Sequence, residues 1–171
     1  MLNLRFLINI VIIFILVLIQ VFIFSNINFN GSICPYIYVI FILLYPPDRN
    51  RYLFLFLCFL LGFGVDVFEN TGGINAFASV TIGFLSKHII RMVSGTKFFE
   101  IEEFKFSDFN MGQWMFYTIV MVLIHHILIF FLETFSFVNF LDTLLKALYS
   151  AIFTIIFVFF YLILFRKKAE R

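Results

Sequence analysis

The first residue whose type and place could do chemistry is an acid at the end of an apolar run. Asp66 lies in Gly62-Phe63-Gly64-Val65-Asp66-Val67-Phe68-Glu69-Asn70-Thr71-Gly72-Gly73-Ile74-Asn75-Ala76, where a lipid-soluble stretch passes into a tight polar loop. An ionised carboxylate in hydrocarbon costs several kcal/mol without a partner, so an intramembrane acid marks a functional site until shown otherwise. Asn70 or Thr71 can bring an oxygen to the free amides that open the next helix, and Gly72 and Gly73 allow the angles of a tight turn. Two readings follow. Either Asp66 caps or anchors neighbouring amides in a well-made turn, or the same groups contact a partner or ligand.

His125 and His126 lie in a later apolar run, on adjacent helix faces, with Glu133 seven residues beyond His126 on nearly the same face. Metal ligation needs a third ligand and usually histidines one turn apart, which the tandem lacks. A hydrogen-bonded pair facing the bundle interior is the expected role, with Asp66 a candidate partner if the helices are neighbours. Intramembrane hydrolysis by Asp66 and a histidine needs the carboxylate and imidazole within hydrogen-bond reach. His88, beside Lys87, reads as interfacial. Asp142 and Lys146 stand four apart, acid first, as a favourable helical pair. No nucleophile elbow, Cys-His pair or phosphate loop stands out, and Gly62-Phe63-Gly64 lacks the third glycine of a dinucleotide fingerprint. Neither an enzyme, a cofactor, a metal nor nucleic acid is therefore expected.

The elements that hold these residues must be membrane helices. Of 171 residues 63% are hydrophobic and 13% charged, with 29 Phe, and the mean hydropathy is +1.08. A water-soluble domain of this length could not hide that apolar surface, and the runs are too long and continuous for barrel strands. One all-α polytopic membrane domain spanning 1–171 is expected, with six helices at about 4–24, 33–45, 52–68, 74–90, 113–132 and 141–165. Pro35 suits a helix's first turn and Pro46-Pro47 ends that second, short run. Ala76, Ser79 or Val80, and Gly83 recur at helical spacing, a small-residue face for close helix approach. The polar stretch about 91–112 reads as a cytoplasmic loop in which Phe99, Ile101, Phe104 and Phe106 alternate with charges. Cys34 and Cys58 fall at different depths, so no disulfide is expected. The first run lacks a small-residue cleavage site and reads as an uncleaved span.

Charge orients the bundle. With six crossings and the N-terminus inside, Arg5, Arg49, Arg51, Lys87, Arg91, Lys97, Lys105, Arg166, Lys167, Lys168 and Arg171 are cytoplasmic, and of the twelve cations only Lys146 is outside. A re-entrant second segment would move Arg49 and Arg51 outside. Both termini are thus expected in the cytoplasm, with Asp66 near the outer surface and only partly buried.

Gln20-Val21-Phe22 with the polar loop to Pro35, the Pro46-Pro47 break with its basic loop, and above all Leu60 to Ala76 resemble the MreD family of rod-shape-determining membrane proteins. His125-His126 followed by Phe131-Leu132-Glu133-Thr134-Phe135-Ser136-Phe137 is similar to that family's variants from the Bacteroidetes branch. Many members carry a His where this chain has Asn75. The resemblance covers roughly residues 10 to 165. It implies an inner-membrane scaffold of the elongation machinery acting beside MreC, the filament MreB, a RodA-type glycosyltransferase and a class B penicillin-binding protein. It also implies a fold like the substrate-binding subunits of energy-coupling-factor transporters. The rival class is a transporter-type subunit holding a small molecule or lipid in an outward-facing cavity. The residues that would carry either role are Gly62, Asp66, Asn70, Thr71, Gly73, Asn75, Ala76, His125 and His126.

Overall fold

The computed structural model describes residues 4–27, 33–47, 49–95, 109–135 and 139–165, which are all-helical apart from connections. The alternating segment expected at 99–106 and the terminal Arg166-Lys167-Lys168 lie outside them. The helices are α1 (Leu4–Ile19), continued by a π-helical turn over Gln20–Phe24, α2 (Val39–Leu44), α3 (Arg51–Glu69), α4 (Ile74–Ser94), α5 (Met111–Thr134) and α6 (Phe140–Phe165). Five of these, all but α2, are long and apolar enough to cross a bilayer. The protein is a helical membrane protein.

Neighbouring helices follow from paired contacts. α3 and α4 form an antiparallel hairpin, closest where Gly62 meets the α4 backbone and Gly83 meets Cys58. The start of α5 meets the end of α4, with Gln113 Nε2 donating to the Val93 carbonyl at 3.0 Å. Asn110 and Gln113 cap that start reciprocally, each side chain accepting from the other's backbone N–H. α6 folds back along α5, with Phe131 against Phe140 at the turn. By contrast α1 runs parallel to α3, since Val17 packs at Gly64, Phe22 at Phe68, and Ser25 donates to Glu69.

Parallel α1 and α3 require the chain between them to return along the bundle, and it returns through the middle. Residues 35–43 and Tyr45 are buried, and Tyr38, Val39 and Ile42 are fully so. The segment starts near Phe24 and ends with Tyr45 stacked on Phe54 in the first turns of α3.

Here the expected helix over 33–45 is corrected, because only Val39–Leu44 is helical. Pro35 disfavours helix at the residue before it and offers no N–H of its own. The amides around it then find side chains instead of carbonyls. Cys34 N–H donates to Ser150 Oγ at 3.2 Å, Tyr36 N–H to Thr154 Oγ1 at 3.0 Å and Ile37 N–H to Gln20 Oε1 at 2.8 Å. Gln20 Nε2 in turn donates to the Pro35 carbonyl at 3.2 Å. Non-helical backbone at membrane depth is tolerated where protein satisfies it, and here α1 and α6 do so.

Gln20 is fully buried at the start of the π turn, where Ser25 N–H reaches back to its carbonyl at 2.8 Å. Gln20→Leu removes the partner of one buried carbonyl and one buried amide. An orphaned group costs about 1–3 kcal/mol, and the new apolar side chain offsets part of that. We expect a net loss of about 2 kcal/mol, read as a lower unfolding midpoint in detergent.

Candidate functional site

The turn between α3 and α4 is built by the acid inside it. Asn70 closes α3 in the left-handed conformation at φ 57°, its N–H bonded to the Asp66 carbonyl. Gly73, at φ 99°, occupies the position before α4 where a capping side chain normally sits and has none to offer. Asp66 supplies the cap from one helix back. Its Oδ1 accepts Asn75 N–H at 2.9 Å and Asn75 Nδ2 at 3.1 Å, while Oδ2 accepts Ala76 N–H at 2.8 Å. The Thr71 hydroxyl also donates to Oδ1. A carboxylate at a helix N-terminus is doubly favoured, by the free amides and by the dipole.

Of the oxygens the sequence offers the amides of α4, those of Asp66 cap them, as the turn reading has it, while Asn70 is spent on ending α3 and Thr71 is a donor to the acid. One expectation changes. Asp66 is not partly exposed, at 5% of its surface, and its burial is offset by the four hydrogen bonds it accepts.

Gly62 lets this cap form. It lies one turn before Asp66, and a Cβ there would stand 2.6 Å from Ala76 N and Cα and closer still to the Asn75 carbonyl oxygen. Only a bare backbone lets α3 come near enough for a short carboxylate to reach both amides. Gly62, Asp66, Thr71, Asn75 and Ala76 therefore form one unit. Asn70 and Gly72 are exposed on its outside, with Gly73 half-buried.

From Asn75 the network enters the core. Tyr38, in the buried segment just before α2, places its hydroxyl 2.8 Å from Asn75 Oδ1 and 2.9 Å from His125 Nε2. Tyr36 sets its ring edge-on to both histidines, with centroids 5.7 Å from His125 and 5.3 Å from His126. His126 Nδ1 meets the Val122 carbonyl at 2.9 Å, and its Nε2 meets Thr154 Oγ1 at 3.0 Å. Both histidines are fully buried and face the interior. Asn75 and Tyr38 stand between Asp66 and His125, so in this arrangement the acid and the imidazole do not form a hydrolytic pair.

No family model, curated protein or solved structure matches this chain. Its chemistry must be read from the site itself. Among the described residues no three His, Cys, Asp or Glu side chains converge as a metal centre requires. What converges is an alternating series of donors and acceptors running from the α3–α4 turn to the middle of α5.

Tyr38 belongs to this series, while Gln20, Ser150 and Thr154 hold the backbone around Pro35 beside it, and none of the four is among the expected site residues. Gln20 carried one signal, an amide inside an apolar run. Ser150 and Thr154 carried another, two hydroxyls one turn apart in a lipid-soluble helix. Tyr38 carried none, since a tyrosine in an apolar run reads as bulk. The small-residue face of α4 is likewise turned inward. Ala76 and Gly83 are buried against α3, and Ser79 is fully buried beside Tyr38.

Proposed function

We propose that this protein is a non-enzymatic scaffold of the MreD type, which crosses the cytoplasmic membrane of a bacterium six times with both termini inside. In this reading the turn from Asp66 to Ala76 faces outward and docks MreC, and through it MreB, a RodA-type glycosyltransferase and a class B penicillin-binding protein.

The observation that carries the reading is how Asp66 is used. Four hydrogen bonds from the turn and α4 converge on its carboxylate. The acid gives shape to a surface rather than serving as a proton donor or nucleophile, and Asn70 and Gly72 stand out on that surface. Because the small residues of α4 pack inward, the docking surface is the turn alone and not the α4 face.

Six crossings are supported by the parallel run of α1 and α3 and by the return of the chain between them through residues 35–43 and Tyr45, which are buried. Arg5, Arg49, Arg51, Lys87 and Arg91 then share one end of the bundle, and Lys146 lies towards the other. Arg51 is fixed there by its guanidinium, which donates to the Phe84 carbonyl at 3.3 Å and lies 4.6 Å over that ring. The alternative, a ligand-binding transporter subunit, needs room at the centre of the bundle. Tyr38, Val39, Ile42 and Leu43 fill that region, which weighs against it.

Co-purification with MreC in mild detergent tests the proposal. Asp66→Lys should reduce recovery of MreC strongly, whereas undiminished recovery with a folded variant would count against docking at the turn.

A further inference from the structure

We propose that Asp66 fixes, through Asn75 and Tyr38, which ring nitrogen of His125 carries the proton, so that the turn and the buried histidine form one hydrogen-bonded relay of defined direction. This goes beyond the docking proposal and does not depend on it.

The direction follows from counting donors and acceptors. A carboxylate only accepts, so the Asn75 atom 3.1 Å from Asp66 Oδ1 is the amide nitrogen, which also donates to Thr71 Oγ1 at 3.0 Å. The other amide atom is then the oxygen, which can only accept. Tyr38 approaches it at 2.8 Å and must give it its single phenolic proton. Having given that proton away, the Tyr38 oxygen faces His125 Nε2 at 2.9 Å with lone pairs only. Nε2 must therefore bear hydrogen. Ser79 Oγ lies beside the same hydroxyl but outside hydrogen-bonding geometry, so it does not reverse the order.

His125 Nδ1 is fully buried and has no hydrogen-bond partner. A second proton there would be an unpaired donor on a buried cation, the costliest arrangement available to the ring. His125 is consequently the neutral Nε2–H tautomer, with a bare acceptor at Nδ1.

His126 has the opposite form. Its Nδ1 faces the Val122 carbonyl at 2.9 Å and so carries the proton, leaving Nε2 a bare acceptor 3.0 Å from the Thr154 hydroxyl, whose single proton it shares with the Ser150 carbonyl at 3.0 Å. Thr154 Oγ1 meanwhile accepts Tyr36 N–H. Adjacent histidines thus hold opposite tautomers. The His125 form is set by α3 through the buried segment, and the His126 form by its own helix and α6. A change that releases Asp66 frees the Asn75 amide to turn over and lets Tyr38 swing its proton to His125.

Nitrogen NMR of the full chain labelled at histidine, in lipid nanodiscs, tests this. His88→Gln removes the one histidine outside the pair, leaving two sets of ring signals. One set should be protonated at Nε2 and the other at Nδ1. Asn75→Leu removes the acceptor for Tyr38, so the His125 signals should exchange toward the Nδ1–H form while those of His126 stay. Tyr38→Phe assigns the signals, because it deprives only His125 of a partner. Two histidines of the same tautomer, or a folded Asn75→Leu protein whose His125 signals are unmoved, would overturn the relay. The tautomers measured without the Asn75 change decide the matter if that variant does not fold.

Discussion

Asp66→Ala is expected to be the most damaging single polar substitution in the protein, lowering stability by about 3–6 kcal/mol. Three buried donors lose their acceptor at once, Asn75 N–H, Asn75 Nδ2 and Ala76 N–H. Each costs about 1–3 kcal/mol if nothing replaces the carboxylate, and removing a buried charge offsets only part of that. Asp66→Asn should cost distinctly less. It keeps one oxygen for the three donors on Oδ1 and sets an amide nitrogen against Ala76 N–H alone. Denaturant unfolding in detergent checks the order, and equal losses for the two substitutions would mean that the donors are satisfied in another way.

Gly62→Ala should follow, at about 3 kcal/mol, the upper end of overpacking costs. The atoms its methyl group would strike are the backbone of Asn75 and Ala76, which cannot rotate aside. The two helices must separate, and separation lifts Asp66 off the amides it caps. Gly83→Ala provides the contrast. There the nearest atom is Cys58 Sγ at 2.7 Å, the end of a side chain that can turn, so a smaller loss is expected. The measurement is the unfolding midpoint of each variant in detergent. A Gly62 variant as stable as the Gly83 variant would show that close approach of α3 and α4 does not hold the cap.

The difference between these positions explains what could be read from the chain before its fold was known. The long helices were legible because lipid demands about twenty apolar residues for a crossing, a requirement that acts locally along the sequence. The turn was legible for a similar reason, since an acid, an Asn and paired glycines all lie within ten residues of one another. Even there one detail differed. Nearness to the outer surface suggested a partly exposed Asp66, whereas close contact between α3 and α4 buries it. The non-helical stretch before α2 was hidden because its hydrogen bonds come from Gln20, Ser150 and Thr154. Helix was the expected state of Ile33 to Tyr38, and partners as far as 118 residues away satisfy the non-helical form. Tyr38 was hidden for the same reason, since its role exists only where α4 and α5 meet around it.

The proposed docking role and the stabilising role of the turn can be separated at Gly72. It is exposed at φ 67°, and a Cβ there meets nothing within 4 Å. Asparagine tolerates such a backbone, so Gly72→Asn should leave the unfolding midpoint within a few degrees of the parent. It nonetheless adds a side chain to the outside of the turn. The decisive measurement is recovery of MreC with Gly72→Asn in mild detergent, beside the unfolding midpoint of the same preparation. Recovery reduced severalfold at an unchanged midpoint is the expected result. Full recovery, with Asp66→Lys also retaining MreC in a folded protein, would contradict docking at this turn.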